Sequence, residues 1–378
     1  MTYDPEARRD TPLALKLKER IRREGPITVA EYMRACLHDP EHGYYRRMPA
    51  IGAAGDFVTA PEISQVFGEL IGLWCAVVWQ QMGAPEVVHL VELGPGRGTM
   101  MRDALRAARV LPGFREAVRV HLVESNATLR EVQRETLAAS GVPVSWSREL
   151  SEIEDAIPPS GSGTIVVGNE YLDALAIEQS IFRSGIWRDR CVGLDTAGRL
   201  VYCEGAQLDG FKPLWRETRI AQDGDIEERC PEFLIVSMDL ARIAAKGPLV
   251  ALFIDYGHAG PAAGETLQAV LAHAPVSPLL APGESDLTAH VDFALLAGIC
   301  MDAGLVDGPV TQAEFLGSLG IVERASRLMA ANPAKAGEIE TGVARLIAPN
   351  AMGSRFKAIG IRSLDLPPLP GFPVKGKA

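Results

Sequence analysis

The 378-residue sequence lacks long apolar runs, paired cysteines and an excess of positive charge. Its longest apolar stretches, residues 72–79 and 249–254, are far shorter than the ~20 residues that a membrane-spanning helix needs. None of its six cysteines forms a C-x-x-C pair, which favours reduced thiols over a zinc site or a disulfide framework. Lysine and arginine total 38 against 48 for aspartate and glutamate, so we expect no broad nucleic-acid surface, and only a local basic patch stays open.

The N-terminal stretch also lacks targeting signals. Its first ten residues are polar, with no apolar core of a signal peptide and no amphipathic, arginine-rich presequence. The composition, 47% hydrophobic and 23% charged, is that of a soluble chain long enough for one large domain with insertions or for two domains. We therefore expect a cytoplasmic protein with no metal site and no membrane span.

A strand, a glycine-rich turn and a helix N-terminus follow one another in residues 87–99. Apolar and β-branched residues from Val87 to Leu93 predict a buried parallel strand. The turn after it contains three alternating glycines, Gly94, Gly96 and Gly98. Glycine permits backbone angles closed to other residues and lets a ligand approach the main chain, where free helix-end N–H groups point outward. This turn is therefore a candidate cofactor site.

The spacing of the glycines separates two classes of ligand. The dinucleotide fingerprint G-x-G-x-x-G would need its third glycine where Thr99 stands, which makes a dehydrogenase the least favoured enzyme. The pattern is instead Glu92-x-Gly-x-Gly-x-Gly, the usual first motif of class I methyltransferases, which bind S-adenosylmethionine (SAM). A turn without a ligand is disfavoured, because its glycines cost folding entropy. We assign Glu92 and the three glycines to SAM binding.

Glu124 ends the second predicted strand, residues 118–124. In nucleotide-binding α/β sheets a carboxylate at this strand end accepts hydrogen bonds from ribose hydroxyls. Its separation from the glycine turn exceeds the usual ~20 residues, because residues 112–117 form an additional loop. We assign Glu124 to the SAM ribose; the alternative is a carboxylate that only faces solvent.

Polar side chains follow two further predicted strands. Asn169, Glu170 and Asp173 come after the strand at residues 165–168, and Asp255 ends a later strand. The carboxyl ends of parallel strands form the crevice where such sheets bind ligands. Asp173 is predicted to lie one helical turn on from Glu170, on the same face. We assign all four to catalysis, Glu170 first; the alternative makes Asn169 a helix cap and the acids favourable first-turn charges.

A loop before the first strand has the composition of a ligand lid. Asp56 lies between a glycine and an aromatic residue, and Tyr44 and Tyr45 precede the loop. An acid suits a polar contact to a sulfonium ligand, and aromatic rings suit a cation. We expect residues 55–64 to fold over the cofactor and to form one wall of the substrate channel; the alternative is an ordinary surface loop.

The rest of the pattern gives the organisation of the chain. A capping box at Thr28 and Glu31 predicts one helix start, and Pro61 predicts another. Residues 260–283, rich in proline, glycine and alanine, are expected to form a long functional loop. We divide the chain into five regions. The first three are a helical N-terminal region with the lid (residues 1–86), a SAM-binding core (87–176) and an antiparallel β insertion (177–231). The remaining core with helical substrate-lobe insertions (232–366) and a mobile tail (367–378) follow.

Together these segments resemble the MidA family of class I SAM-dependent methyltransferases. The resemblance covers nearly the whole chain, in order, through the motifs at residues 55–69, 91–99, 169–175, 254–258, 286–293, 308–312 and 352–357. It implies an α/β fold with a Rossmann-like, mostly parallel sheet, a helical N-terminal extension and the antiparallel β insertion. Ala176 departs from the family, which usually has proline there, and this concerns only the local loop.

The resemblance also implies a substrate. Mitochondrial members of the family are assembly factors for respiratory complex I that methylate an arginine of a core subunit, so a protein acceptor is expected beside SAM. Paired acids can hold an arginine, which is a planar cation, bidentately, and we assign Tyr45, Tyr256 and His258 to substrate contacts. Two alternatives remain: a small-molecule O- or N-methyltransferase, and a non-catalytic assembly chaperone that keeps SAM as a structural prop. A homodimer is left open.

Overall fold

The computed structural model describes residues 10–46, 59–158, 161–260 and 262–373. The strands in these ranges are β1 (Ile27–Thr28), β2 (Val87–Leu93), β3 (Val118–Val123), β4 (Val144–Ser147), β5 (Ser162–Asn169), β6 (Glu178–Arg183), β7 (Ile186–Leu194), β8 (Leu200–Gln207), β9 (Ile226–Arg229), β10 (Leu249–His258), β11 (Gln268–Leu271), β12 (Ala274–Val276), β13 (Asp286–Thr288), β14 (Val291–Asp292), β15 (Leu305–Thr311) and β16 (Phe356–Arg362). The α-helices are α1 (Pro12–Glu24), α2 (Val29–His38), α3 (Ala60–Ile63), α4 (Gln65–Gln81), α5 (Thr99–Ala107), α6 (Pro112–Ala117), α7 (Ala127–Leu137), α8 (Ser151–Ala156), α9 (Glu232–Ala244), α10 (Phe293–Cys300), α11 (Gln312–Ser318), α12 (Ile321–Ala331), α13 (Ala336–Ile347) and α14 (Met352–Arg355).

The central sheet has the strand order β15-β16-β10-β5-β2-β3-β4, with β14 beside the end of β10. Strands β4, β3, β2, β5 and β10 run parallel, whereas β16 runs antiparallel to β10 and β15 runs antiparallel to β16 at that side of the sheet. Every residue of β5 is buried, as expected for a parallel strand covered by helices on both faces. The carboxyl ends of β2, β3, β5 and β10 therefore meet at one edge, and the predicted α/β class is confirmed.

Two apolar cores lie on the two faces of this sheet. One packs α1, α2, α9 and α10 against it, and the other packs α4, α5, α11, α12 and α13. The predicted single helix from Pro61 is instead two helices, because Pro61 is the second residue of the four-residue α3, and the Ser64 hydroxyl then accepts from the Val66 N–H to cap α4. Among the described residues, no helix combines the length and the apolar character that crossing a bilayer would need.

The insertion forms a second, antiparallel sheet in the order β1-β7-β6-β9, with β8 on β7. Its edge strand β1 comes from the N-terminal region and pairs Ile27 with Val192. The predicted capping box follows β1 directly, with Thr28 and Glu31 each bonding the other's backbone, and is confirmed. The N-terminal helices are thus joined to the insertion by a strand as well as by the apolar core.

Two further segments differ from their predictions. Residues 260–283 are not a long loop, because β11 and β12 form a hairpin that also pairs with β13. Leu369 and Phe372, in the segment predicted as a mobile tail, are 2% and 7% exposed. The Phe372 ring lies 5.3 Å from the Phe315 ring, and the Leu369 N–H donates to Asp307, so the chain is packed as far as residue 373.

Candidate functional site

The turn after β2 consists of left-handed backbone. Gly94, Gly96 and Gly98 have φ of +60°, +52° and +78°, a region that side chains with a Cβ rarely adopt. Gly98 is also the N-cap of α5, so the free N–H groups of that helix face the end of the sheet. A Cβ on Gly94 would stand 3.2 Å from a ring carbon of Tyr171, so glycine lets the two strand ends pack closely.

A cleft of about 430 Å³ opens over this turn, lined among others by Glu62, Glu92, Gly94, Gly96, Asn169 and Glu170. Glu92 is 2% exposed, and its Oε2 has no hydrogen-bond partner among the described residues; the same holds for Oδ1 of the buried Asn169. Burial raises the pKa of Glu92 to about 8. Two unpartnered acceptors beside an open backbone turn fit a ligand that carries an ammonium group and N–H donors, as SAM does.

Glu124 lies at the end of β3, where its backbone and side chain are both bonded. Its Oε1 accepts from the Asn126 N–H at 2.7 Å, and its Oε2 is 3.4 Å from Gln133 Nε2. Gln133 also donates to the Gly96 carbonyl at 2.8 Å and accepts from Trp146 at 2.9 Å. This fully buried amide joins the glycine turn to Glu124 and was missed, because one glutamine on an amphipathic helix gives no sequence signal.

Part of the predicted lid contacts the site. The Thr99 hydroxyl donates to Glu62 at 2.5 Å, and the Ala60 N–H donates to Glu170 Oε1 at 2.8 Å. The Tyr45 carbonyl accepts from the Asn126 side chain, which puts that segment at the end of β3. Glu62 belongs to a motif noted in the sequence but was not assigned a role. Asp56 and residues 47–58 lie outside the described residues, so the closure of the lid stays a prediction.

The segment after β5 is a turn and not a helix, so the prediction that Asp173 lies one helical turn on from Glu170 was wrong, and the alternative of a helix cap at Asn169 also fails. Glu170 has φ +52°, an unusual conformation for a residue with a side chain. Asp255 Oδ2 accepts from the N–H groups of Tyr171, Leu172 and Asp173 at 3.0, 2.8 and 3.2 Å. Asp255 is fully buried, so it shapes this turn from beneath and does not face the cleft. Burial and the charge of Glu170 raise the pKa of Asp255 to about 8.

Asp173 lies among three other acids, Glu170, Asp255 and Asp286, and we call these four residues the acid group. Burial, and then the charges of Asp255, Asp286 and Glu170, raise the pKa of Asp173 well above its usual range. Burial, and then the charges of Asp286 and Asp173, raise the pKa of Tyr45 well above its usual range, and a side-chain hydrogen bond with Tyr256 acts to lower the pKa of Asp173. The structure thus brings Tyr45, Tyr256 and the acids together.

The assignment of His258 to the same substrate site ends differently. His258 lines a separate cavity, where its Nδ1 is 2.6 Å from the Gly260 carbonyl, so it is not part of the acid group. Within the described ranges, no group of three or more His, Cys, Asp or Glu side chains is placed to hold a metal ion.

The sequence profile of the family described as "Putative S-adenosyl-L-methionine-dependent methyltransferase" matches residues 70–309, well over half of the chain. The chain belongs to this methyltransferase family. The matched range includes the glycine turn, Glu124, the turn after β5 and Asp255. The assignments of SAM as cofactor and of methyl transfer as the reaction are confirmed at the level of the family.

Full-length relatives agree with this membership. "Protein arginine methyltransferase NDUFAF7, mitochondrial" from Danio rerio is 34% identical over 372 residues, covering 91% of this chain and 85% of that protein. The protein of the same name from Homo sapiens is 34% identical and covers 92% and 82%. A crystal structure of a methyltransferase-like protein from Burkholderia thailandensis, bound to S-adenosylhomocysteine, has a TM-score of 0.81 at 28% identity and covers 96% and 95%.

The expected cytoplasmic location is contradicted by these relatives, which are named mitochondrial. That prediction was wrong. It depended on the composition of a few N-terminal residues, and a targeting segment is separate from the packed fold. The similarity that relates this chain to its mitochondrial relatives extends instead over the whole folded region.

Proposed function

We propose that this methyltransferase transfers the methyl group of SAM to an arginine side chain of a protein. The observation that carries the proposal is the set of buried carboxylates at the ends of β5 and β10. Glu170, Asp173 and Asp255 lie close enough for their charges to raise one another's pKa, and the one cation whose charge is seen to act on these described residues is Arg345, on Glu170. Burying carboxylates without a cation is unfavourable, so such a site is suited to a cationic substrate.

Each residue has a distinct part in this proposal. SAM, when bound, supplies an electrophilic methyl group. Its amino-acid end would be held by Glu92 and the glycine turn, and its ribose by Glu124. Glu170 and Asp173 would orient the guanidinium bidentately, which favours attack by one nitrogen along the required line. Asp255 positions the turn that carries them, through the three backbone N–H groups that it accepts.

A protein acceptor is favoured over a small molecule by the relatives, which are named protein arginine methyltransferases and align with nearly all of this chain. Within that class we propose a subunit of respiratory complex I as the acceptor, which the family resemblance supports. A SAM-binding chaperone without activity is the second candidate. In cells, a chaperone would keep its role when the acids are neutralised, whereas an arginine methyltransferase would lose it.

The variant Glu170→Gln tests the proposal. It keeps the shape of the side chain and an acceptor for the Ala60 N–H while it removes the charge. Losing one charged hydrogen bond to the substrate should lower methyl transfer about a hundredfold and leave SAM affinity nearly unchanged. The matched control is Glu178→Gln, because Glu178 is exposed at the start of β6. Transfer at the wild-type rate by Glu170→Gln would leave Glu170 as a structural acid and remove the main support for arginine.

A further inference from the structure

A second cavity, partly open to solvent, lies between the insertion and the end of β10, and its lining includes Leu172, Glu227, Phe233, His258, His290 and Asp292. Its lining combines apolar side chains with a few polar ones, as binding pockets usually do. The methyltransferase site described above leaves this cavity without a role. We refer to it as the insertion cavity.

Glu227, on β9, gives the insertion cavity a free acceptor. The side chain is 2% exposed; its Oε1 accepts from the Leu214 N–H at 2.9 Å and lies 3.3 Å from Arg229 Nε. Its Oε2 is buried and has no partner among the described residues. The adjacent Glu228 differs, because its oxygens accept from Gln179 and from residues 266–267. Only Glu227, of these two acids, retains an oxygen for a ligand.

The charge of the lining also favours a cation. Three carboxylates, those of Glu227, Glu228 and Asp292, face one guanidinium, that of Arg229. Arg229 pairs with Glu227 Oε1, donates to the Lys212 carbonyl and has its guanidinium 4.5 Å from the centre of the Phe211 ring, so the other two carboxylates of the lining are left without it. A buried acceptor in a cavity with this excess of negative charge is best satisfied by a positively charged hydrogen-bond donor.

The insertion cavity shares a wall with the acid group. The Asp173 carbonyl accepts from the Ala289 N–H at 3.0 Å, and Ala289 lines the cavity. The Tyr256 ring, whose hydroxyl bonds Asp173, lies 5.3 Å from the ring of His290 on the cavity rim. An extended chain advances only ~3.3–3.6 Å per residue. Residues a few positions apart in one polypeptide can therefore reach both places.

We propose that the insertion cavity binds a second basic side chain, lysine or arginine, of the same protein acceptor, a few residues from the methylated arginine. This inference rests on the proposed function, because it takes the acceptor to be a protein. The Glu227 carboxylate receives the charged donor, and the apolar side chains of the lining pack against its methylene stem. The cavity then contributes affinity and sequence preference, and the acid group contributes the chemistry.

Synthetic peptides test the preference. Each has one central arginine and carries lysine, arginine or glutamine at one of the four positions on either side. With the wild-type protein, a basic residue at one of these positions should lower KM about tenfold relative to glutamine, with kcat unchanged. Glu227→Gln should raise KM for that peptide to the value of the glutamine peptide. Glu217→Gln, an exposed acid of the same insertion, should keep the preference.

A binding measurement makes the test independent of activity. N-acetyl-lysine methylamide is titrated against methyl-labelled protein, and the NMR signals of Ile177 and Leu295, which line the cavity, are followed. The wild type should show saturable shifts, and Glu227→Gln should bind at least tenfold more weakly. Equal binding by the two proteins, or an unchanged peptide preference in Glu227→Gln, would overturn the inference. If the wild type methylates no arginine peptide, the proposed function fails, while this titration still decides whether the cavity binds a cation.

Discussion

The turns after β2 and β5 lie side by side at the same edge of the sheet, yet they are built from different chemistry. The β2 turn has three left-handed glycines, and what it offers a ligand is mostly main chain. The β5 turn also has one left-handed residue, but that residue is Glu170, and a buried carboxylate, Asp255, holds the next three N–H groups. We propose that one turn selects its ligand by shape and the other by charge.

This difference predicts how each turn responds to substitution. Added bulk at the β2 turn should exclude a ligand even when charge is unchanged. Removed charge at the β5 turn should weaken transfer even when shape is unchanged. A backbone in the left-handed region costs about 1–2 kcal/mol for a residue with a Cβ, so the conformation of Glu170 is retained at the expense of stability.

The largest effect is expected for Gly96→Val at the β2 turn. A branched side chain at φ +52° strains the turn and occupies the space that the cofactor needs. SAM affinity should fall at least a thousandfold, which isothermal titration calorimetry would detect as the loss of measurable heat. Gly185→Val is the matched control, because Gly185 has φ +83° and open space around it in the β6–β7 turn. Gly185→Val should strain the backbone without weakening SAM binding. Normal SAM affinity in a folded Gly96→Val protein would refute the assignment of the β2 turn to SAM.

Lowering the pH should reduce the stability of the folded protein through a buried histidine pair on β2 and β3. His89 Nδ1 and His121 Nε2 lie 2.9 Å apart across β2 and β3, and burial, with the charge of His89 adding, lowers the pKa of His121 to about 4. A folded pKa below the unfolded ~6.5 means that stability is intact above pH 6.5 and is lost as the pH falls toward 4.

We expect the wild type to lose about 2–3 kcal/mol of unfolding free energy between pH 7 and pH 4.5 through this pair. Denaturant unfolding at the two pH values, compared with His121→Gln, measures the contribution. Between the two pH values, His121→Gln should lose less unfolding free energy than the wild type does. Equal losses in the two proteins would mean that the histidine pair is protonated in the folded protein.

Asp255→Asn separates support from substrate contact at the β5 turn. Asp255 accepts through both carboxyl oxygens, Oδ2 from the three N–H groups of the turn and Oδ1 from the Tyr256 N–H, so an asparagine, which has one acceptor oxygen, leaves donors unpaired. Unfolding free energy should fall by about 2 kcal/mol. Transfer should fall together with stability, whereas Glu170→Gln should lose transfer alone. Asp209→Asn, at an exposed acid after β8, should change neither; an Asp255→Asn protein of normal stability would contradict the supporting role.

The smallest effect concerns the amide that links Glu124 to the glycine turn. Gln133→Leu removes the donor to the Gly96 carbonyl and leaves that carbonyl unpaired. SAM affinity should weaken about fivefold to tenfold, with unfolding free energy lower by about 1 kcal/mol. Glu135→Gln, on the exposed side of the same helix, serves as control. An unchanged dissociation constant would show that the turn keeps its shape without this bond.

Features that depend on residues close together in sequence could be predicted from the sequence alone. The strand at residues 87–93 has the predicted bounds, because a continuous apolar run ends at a glycine that must adopt positive φ. The capping box at Thr28 and Glu31 is equally local, since both bonds form within one helical turn. The carboxyl-end placement of Glu92, Glu124 and Glu170 followed from the parallel order of the strands.

Features that depend on distant residues were not predictable in this way. Asp255 was assigned to catalysis, but its partners are 82–84 residues away in sequence, and they make it the support of the β5 turn. Residues 260–283 were assigned to a loop because of their composition, whereas pairing with β13 makes a sheet of them. The contacts of Gln133 and the burial of Leu369 likewise depend on packing that only the folded chain defines.

The central claim is that the acid site presents an arginine of a protein to SAM, and identification of the methylated residue tests it most directly. Isotope-labelled SAM would be incubated with the wild-type protein and a mitochondrial lysate, and the labelled product analysed by mass spectrometry, with Glu170→Gln in parallel. The expected result is label on the guanidino nitrogen of one arginine in a protein, reduced about a hundredfold with Glu170→Gln. Label on a small molecule, or on any other residue type, would contradict the account.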